Sequence, residues 1–251
     1  FASLDTSVVP QHVIDALSAG KIARIRVIGQ GTAAIAGRSL VQLLHTLIDR
    51  RVQVDALPAT ELSGFQLQLD MSDTLVIAIS QSGTTTDTNR TVDLARSRGA
   101  SVLAIVNRRG SELAAKADGV LYTSDGRDVE MSVASTKAFY SQVSAGALLS
   151  CALSSALGSG TDAARHQLLT ALRTVPDAMN RVLEMRPQIA QAAQQFAPAR
   201  RYWTVVGNGF NAVAAEEVRI KLSELSYKSI ACDITEDKKH IDLSCEPMIF
   251  V

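Results

Sequence analysis

With 251 residues the chain is long enough to bury a large core and suits one large domain or two smaller ones. Twenty-five basic residues balance twenty-five acidic ones, so no net field draws nucleic acid or another polyanion, and a charged ligand has to be recognised locally. The longest weakly polar stretch, Ala145 to Gly158, is broken by serines and falls short of the ~20 residues a membrane-spanning helix needs, which excludes a membrane partner of that kind.

In chain order, Val8 to Gly20 reads as a short helix with Pro10 near its first turn and Gly20 closing it. Arg24 to Ile28 is a strand, Thr32 to about Arg50 a helix, Val52 to Leu57 a strand, and a short polar helix lies near Glu61. Thr74 to Ile79 carries five apolar residues in a row and suits a central strand buried on both faces. Thr85 to Arg98 reads as a helix closed by Gly99, Val102 to Val106 as a strand, Glu112 to Ala117 as a short helix and Gly119 to Tyr122 as a fifth strand. A long helix rich in small residues runs from Ala134 to about Ala156, and Gly158-Ser159-Gly160-Thr161 reads as a linker. Two helices, Asp162 to Arg173 and Asp177 to Phe196, are expected next, with Pro176 and Pro187 limiting their spans. Strands alternating with helices predict an α/β fold: a three-layer, doubly wound, mostly parallel sheet.

Val27-Ile28-Gly29-Gln30-Gly31 returns as Val205-Val206-Gly207-Asn208-Gly209, each time ahead of an alanine-rich helix, at an offset of 178 residues. At that offset the final strand, Met248 to Val251, matches the strand that precedes Ser80. The pattern predicts a tandem duplication with an incomplete second copy: a first domain over 1–158, a helical connection over 159–200 and the N-terminal half of a second domain over 201–251. A chain that starts at Phe1 and stops in a strand is expected to be a piece of something longer, fused to further domains at both ends.

The most pointed segment is Ser80-Gln81-Ser82-Gly83-Thr84-Thr85-Thr86, five hydroxyls and a glycine where a buried strand turns into a helix. A helix start presents unpaired N–H groups and a partial positive charge, so it can hold an anion with little lysine or arginine nearby. The plain alternative is a capped turn in which these hydroxyls satisfy only local backbone groups. Gly29-Gln30-Gly31-Thr32-Ala33-Ala34 and Gly207-Asn208-Gly209-Phe210-Asn211-Ala212 both fit G-x-G-x-x-(G/A), with Asp55 at the end of the next strand, which leaves a nicotinamide dinucleotide reading open. Any tight strand-to-helix turn wants such a glycine pair, however, and that reading leaves the hydroxyl loop unexplained.

Glu217, Lys221 and Glu224 stand at i, i+4 and i+7 on one helix face, either as a solvated ion pair or as a proton-transfer pair if the face looks into a cleft. His240 follows Asp237-Lys238-Lys239 in a polar segment, and its imidazole could exchange protons near neutral pH, as opening a sugar ring requires. The four histidines are scattered and the three cysteines, Cys151, Cys232 and Cys245, show no C-x-x-C spacing, so neither a metal site nor a disulfide framework is expected and the compartment read from them is the cytoplasm.

Taken together, these residues resemble the sugar isomerase (SIS) domains of the glucosamine-6-phosphate synthase family, which makes glucosamine 6-phosphate from fructose 6-phosphate and glutamine. Ser80-Gln81-Ser82-Gly83 followed by Asp87-Thr88 is similar to the family's phosphate loop, which implies that Ser80, Gln81, Ser82 and Thr85 contact the sugar phosphate. Val133-Ala134-Ser135-Thr136-Lys137-Ala138-Phe139 is similar to a second signature, implying that the Val133 backbone and the Ser135 hydroxyl face the sugar; Gly31-Thr32 matches the family's Cys-Gly-Thr-Ser turn, implying that Thr32 binds substrate. Lys221-Leu222-Ser223-Glu224-Leu225-Ser226-Tyr227 resembles the catalytic helix, with Glu224 as proton shuttle between C1 and C2 and Glu217 and Lys221 as companions. His240 falls at the ring-opening histidine, which in the family reaches over from a neighbouring subunit and so implies a homodimer.

Four positions depart from the family pattern: Ala33 replaces a serine, Thr84 a glutamate, and Ile241-Asp242 a Gly-Pro. The resemblance implies an isomerising aminotransferase region acting on a ketose 6-phosphate, with no cofactor. Two alternatives stay open: a non-catalytic sugar-phosphate sensor, and a deglycase or deaminase of an amino-sugar phosphate.

Overall fold

The structure is a computed structural model and describes residues 4–49, 51–125, 130, 132, 134–238 and 243–251. The chain forms two compact units, residues 1–169 and 170–251.

The first unit holds five parallel strands, β1 (Arg24–Gly29), β2 (Gln53–Pro58), β3 (Thr74–Ser80), β4 (Ser101–Val106) and β5 (Gly119–Tyr122), in the order β2-β1-β3-β4-β5. Every residue of β3 is buried, as its unbroken apolar run requires of a strand covered on both faces. The pleat sends alternate side chains to opposite faces. Leu75, Ile77 and Ile79 enter one core with Val13 and Leu17 of α1 (Gln11–Ser18), Leu40 and Leu44 of α2 (Thr32–Leu47), and Leu149 and Leu153 of α6 (Lys137–Ala156). Val76 and Ala78 enter the other, with Val92 and Ala95 of α4 (Thr86–Ser97), Leu113 of α5 (Glu112–Lys116) and Leu62, which follows the single turn α3 (Ala59–Glu61). Three layers result, as the alternation of elements predicts. Each fully buried aliphatic side chain contributes about 1.5–3 kcal/mol to holding them together. The small residues of α6 have a packing purpose: a Cβ on Gly146 would lie 3.3 Å from that of Leu40, so the glycine brings α6 close against α2.

The second unit begins within the long helix α7 (Asp162–Glu184) and continues through α8 (Arg186–Phe196) to a three-stranded parallel sheet of β6 (Trp203–Val206), β7 (Ile230–Asp233) and β8 (Met248–Phe250), ordered β7-β6-β8. Between β6 and β7 runs α9 (Phe210–Ser226). The order repeats β2-β1-β3, and the repeat extends to backbone detail. Gly31 and Gly209, the N-cap residues of α2 and α9, have φ/ψ of 55°/−130° and 57°/−127°. A Cβ on Gly29 would come within 2.8 Å of the Ala33 backbone, and one on Gly207 within 2.3 Å of the Asn211 carbonyl oxygen. Strand-to-helix packing therefore accounts for both glycine pairs. Asp55, the acid that a dinucleotide reading would use, forms a salt bridge with Arg26 on the neighbouring strand.

One expected boundary is corrected. Pro176 does not end a helix: α7 runs through it to Glu184, and the break comes at Met185, ahead of Pro187. A proline removes one N–H, here the partner of the Leu172 carbonyl. Pro176 and its neighbours from Arg173 to Asp177 are exposed, so water can take that bond, and Thr174 donates its hydroxyl to the Ala171 carbonyl at 2.8 Å. Among the described residues no helix is long and apolar enough to cross a membrane.

Candidate functional site

In the first unit, α2 carries the chain from β1 to an edge strand on one side, whereas α4 carries it from β3 to β4 on the other. Adjacent strands whose connections diverge leave a crevice at their carboxyl ends, the usual ligand position in an open parallel sheet. A cavity of about 230 Å3 lies there. Gln30, Thr32 and Ala33 reach it from the start of α2; Ser80, Gln81, Ser82 and Thr85 from the turn into α4; Glu130, Ser132, Ser135 and Gln142 from the segment before α6 and its first turns. Three helix starts thus supply one small space, and none of these lining residues is a lysine or arginine. The volume is below the ~300–1,000 Å3 of drug-sized pockets and suits one small ligand.

The hydroxyl loop is wired internally. The Ser80 hydroxyl accepts the Gly83 N–H at 3.0 Å and lies 3.3 Å from the Thr85 hydroxyl. The Ser82 hydroxyl accepts both the N–H and the hydroxyl of Thr84, at 3.2 and 2.9 Å. The local-turn reading is therefore right about the lone pairs of these serines. It does not use all of their protons: Ser82 acts only as an acceptor in these bonds, and the Ser80–Thr85 contact consumes one hydroxyl proton of two. Thr85, the N-cap residue of α4, makes no side-chain capping bond, so the positive end of that helix is not closed by its own cap.

Anchors behind the loop hold it in place. The Gly83 carbonyl accepts Leu113 N–H at 3.0 Å and the Asn89 amide at 3.1 Å, and that amide also reaches the Thr85 carbonyl at 3.1 Å. The Gln81 carbonyl accepts the N–H groups of Asn107 and Arg108. Gly83 itself sits at φ +66°, where an added β-carbon would run into Ser111, so a side chain has no room.

The second signature is organised by a residue that motif reading passes over. Glu130 accepts the Thr136 N–H and the Thr136 hydroxyl, both at 2.7 Å, and the Ser135 hydroxyl at 3.0 Å. Ser135 thus donates its proton within the protein and faces the cavity as an acceptor. Burial alone would raise the Glu130 carboxyl; the bonds from Thr136 and Ser135 outweigh it and hold the group below the ordinary glutamate range. A depressed carboxylate stabilises the fold above its unfolded pKa and loses that contribution as acid protonates it. Glu130→Gln is expected to cost about 1–2 kcal/mol in urea unfolding at pH 7, with a difference from the parent that shrinks below the ordinary glutamate range. A pH-independent difference would refute this account. The signal available in sequence was an acid a few residues ahead of a Ser-Thr helix start.

Glu217, Lys221 and Glu224 stand together on α9 in the second unit. Lys221 Nζ lies 2.7 Å from Glu224 Oε2 and 3.5 Å from Glu217 Oε1. Glu217 is buried, whereas the Glu224 side chain keeps 34% of its surface. The one-face spacing of the three holds, and Lys221 is the charge that bridges the two acids. Val133 and His240 lie outside the described residues. Asn89 and Gln142, both buried and both at the cavity or its loop, are further residues that motif reading did not select.

A family model for the SIS domain matches residues 20–152. The isomerizing glutamine–fructose-6-phosphate aminotransferase of Halobacterium salinarum is 33% identical over 226 residues, covering 90% of this chain and 37% of that protein. That of Thermus thermophilus is 36% identical over 212 residues, covering 84% and 34%. The chain therefore spans roughly a third of the length of these curated relatives. Among solved structures, the C-terminal domain of glucosamine-fructose-6-phosphate aminotransferase from Francisella tularensis superposes with a TM-score of 0.82 at 25% identity, covering 97% of this chain and 67% of that one.

Proposed function

The chain belongs to the SIS domain family, and from that premise we propose that it is the isomerase region of an aminotransferase acting on a ketose 6-phosphate of the fructose 6-phosphate type. The carrying observation is that Thr32, Ser80, Gln81, Ser82, Thr85 and Ser135 line one small cavity fed by three helix starts and by no basic side chain. In this reading the phosphate rests at the start of α4, where the remaining serine and threonine protons and the helix dipole oppose its charge. Holding the phosphate fixes the sugar chain for proton transfer elsewhere along it.

Glu224 then carries the proton between C1 and C2 of the open-chain sugar, Lys221 orients that carboxylate, and Glu217 holds Lys221 from the buried side. His240 opens the ring. The proposal includes a homodimer, in which that histidine serves a neighbouring subunit, a cytoplasmic setting, no cofactor, and fusion to further domains. It also includes the division into a first SIS domain over 1–158, a helical connection over 159–200 and the start of a second over 201–251. The aminotransferase names of the relatives at 33–36% identity favour this over a deaminase.

Calorimetric titration of the chain tests the premise. Fructose 6-phosphate should bind and fructose should not, and Ser82→Ala and Thr85→Val should each weaken binding about ten- to a hundredfold, the worth of one hydrogen bond to a charged group. Equal affinity for the sugar with and without its phosphate would refute the reading. Binding without isomerisation by the full-length protein would replace the enzyme with a sensor.

A further inference from the structure

The core-facing stripe of α6 is made of Ala138, Gln142, Ala145, Leu149 and Leu153, spaced three or four residues apart and all buried. Gln142 is its polar member. It is 2% exposed, lines the cavity, and its Oε1 is buried without a hydrogen-bond partner. The same helix shows how a buried polar group is ordinarily settled: Ser150 donates to the Gly146 carbonyl at 2.8 Å and Ser154 to the Ser159 carbonyl at 3.2 Å. Gln142 Oε1 has no such settlement. A buried carbonyl left unpaired is costly, and leucine or methionine would fill the same stripe without that cost.

We infer that Gln142 is a carbohydrate-reading residue whose amide carbonyl accepts a hydrogen bond from a hydroxyl on the carbon chain of the bound sugar phosphate. The inference rests on the sugar-phosphate reading above and adds a specificity contact to it. The chemistry selects the partner. A carbonyl oxygen needs an O–H or N–H donor, and a phosphate dianion offers none, so this oxygen of Gln142 does not serve the phosphate. That group has its own donors at Ser80, Ser82 and Thr85, on the loop from β3, whereas Gln142 stands with Ser135 on the wall built by α6. The ligand class is therefore a polyhydroxylated phosphate ester. A bare phosphate or an aliphatic phosphate would leave this oxygen unpaired.

The test separates the two ends of the ligand. Gln142→Met keeps length and volume and removes the acceptor; fructose 6-phosphate should then bind about tenfold more weakly, while the affinity for inorganic phosphate and the melting temperature hold or rise. Gln142→Asn, which keeps an amide but withdraws it by one methylene, is the second variant where methionine disturbs folding, and the same selective loss is expected. Unchanged fructose 6-phosphate affinity, or a parallel loss for both ligands, would overturn the inference. If the unsubstituted chain binds inorganic phosphate but shows no preference for the sugar phosphate, the inference also fails. If it binds neither, the functional reading itself fails and takes the inference with it.

Discussion

Gly83→Ala is expected to destabilise the first unit by about 3–5 kcal/mol and to abolish sugar-phosphate binding at millimolar ligand. A β-carbon at this position would lie 2.2 Å from Ser111 Oγ, 2.5 Å from Ser111 Cβ and 2.9 Å from Val106 Cγ2, in a backbone at φ +66° that alanine adopts only at a cost. Ser111 can yield only by turning its hydroxyl away from the Ala114 N–H, which it caps at the start of α5. The loop can yield only by breaking the bonds of the Gly83 carbonyl to Leu113 and Asn89. Turning the hydroxyl leaves the clashes with Ser111 Cβ and Val106 Cγ2 in place, so the loop must shift as well, and that moves Ser82 and Thr85. Gly110→Ala is the control, because Gly110 has a near-identical φ of +65° with nothing within 4 Å of an added methyl, and should cost only the backbone term of about 1 kcal/mol. Urea unfolding of both variants checks this. Equal and small losses would mean that the loop is pliable rather than braced.

Glu224→Gln, made in the full-length protein, is expected to lower the isomerisation rate on fructose 6-phosphate by about 10²- to 10⁴-fold, the range for removing a positioned general base. Glutamine keeps the shape and still offers Lys221 an oxygen, so the 2.7 Å contact survives while the capacity to carry a proton is lost. Binding of the sugar phosphate should change less than twofold, since the residues assigned to the phosphate are untouched. Exchange of the C1 hydrogen with solvent reads the proton step directly. An unaltered exchange rate would remove Glu224 from the mechanism.

The fold was legible in the chain because its signals are local. The apolar run Leu75 to Ile79 implies burial on both faces, and β3 is central. The two glycine pairs imply two identical strand-to-helix turns, and their dihedral angles agree within a few degrees. Pro176 was misleading because a helix break depends on whether the lost hydrogen bond can be replaced, and in an exposed helix water replaces it.

Among the candidate site residues, clustered side chains could be read from the chain and isolated ones could not. The hydroxyls at 80–86 and the triad on α9 announce themselves by spacing. Glu130, Asn89 and Gln142 carry no motif: the first two act through partners six residues away across a turn, and the third through a missing partner. Residue order alone determined the alternation of elements, the duplication, and a hydroxyl-rich loop at the end of a buried strand, because periodicity and turn chemistry are properties of neighbours along the chain. Only the tertiary structure decided that three helix starts open into one cavity, that the loop serines spend their lone pairs internally, and that Ser135 gives its proton to Glu130. The first depends on how the strands are ordered, and the other two on which of several turn geometries the chain adopts, which residue order leaves open.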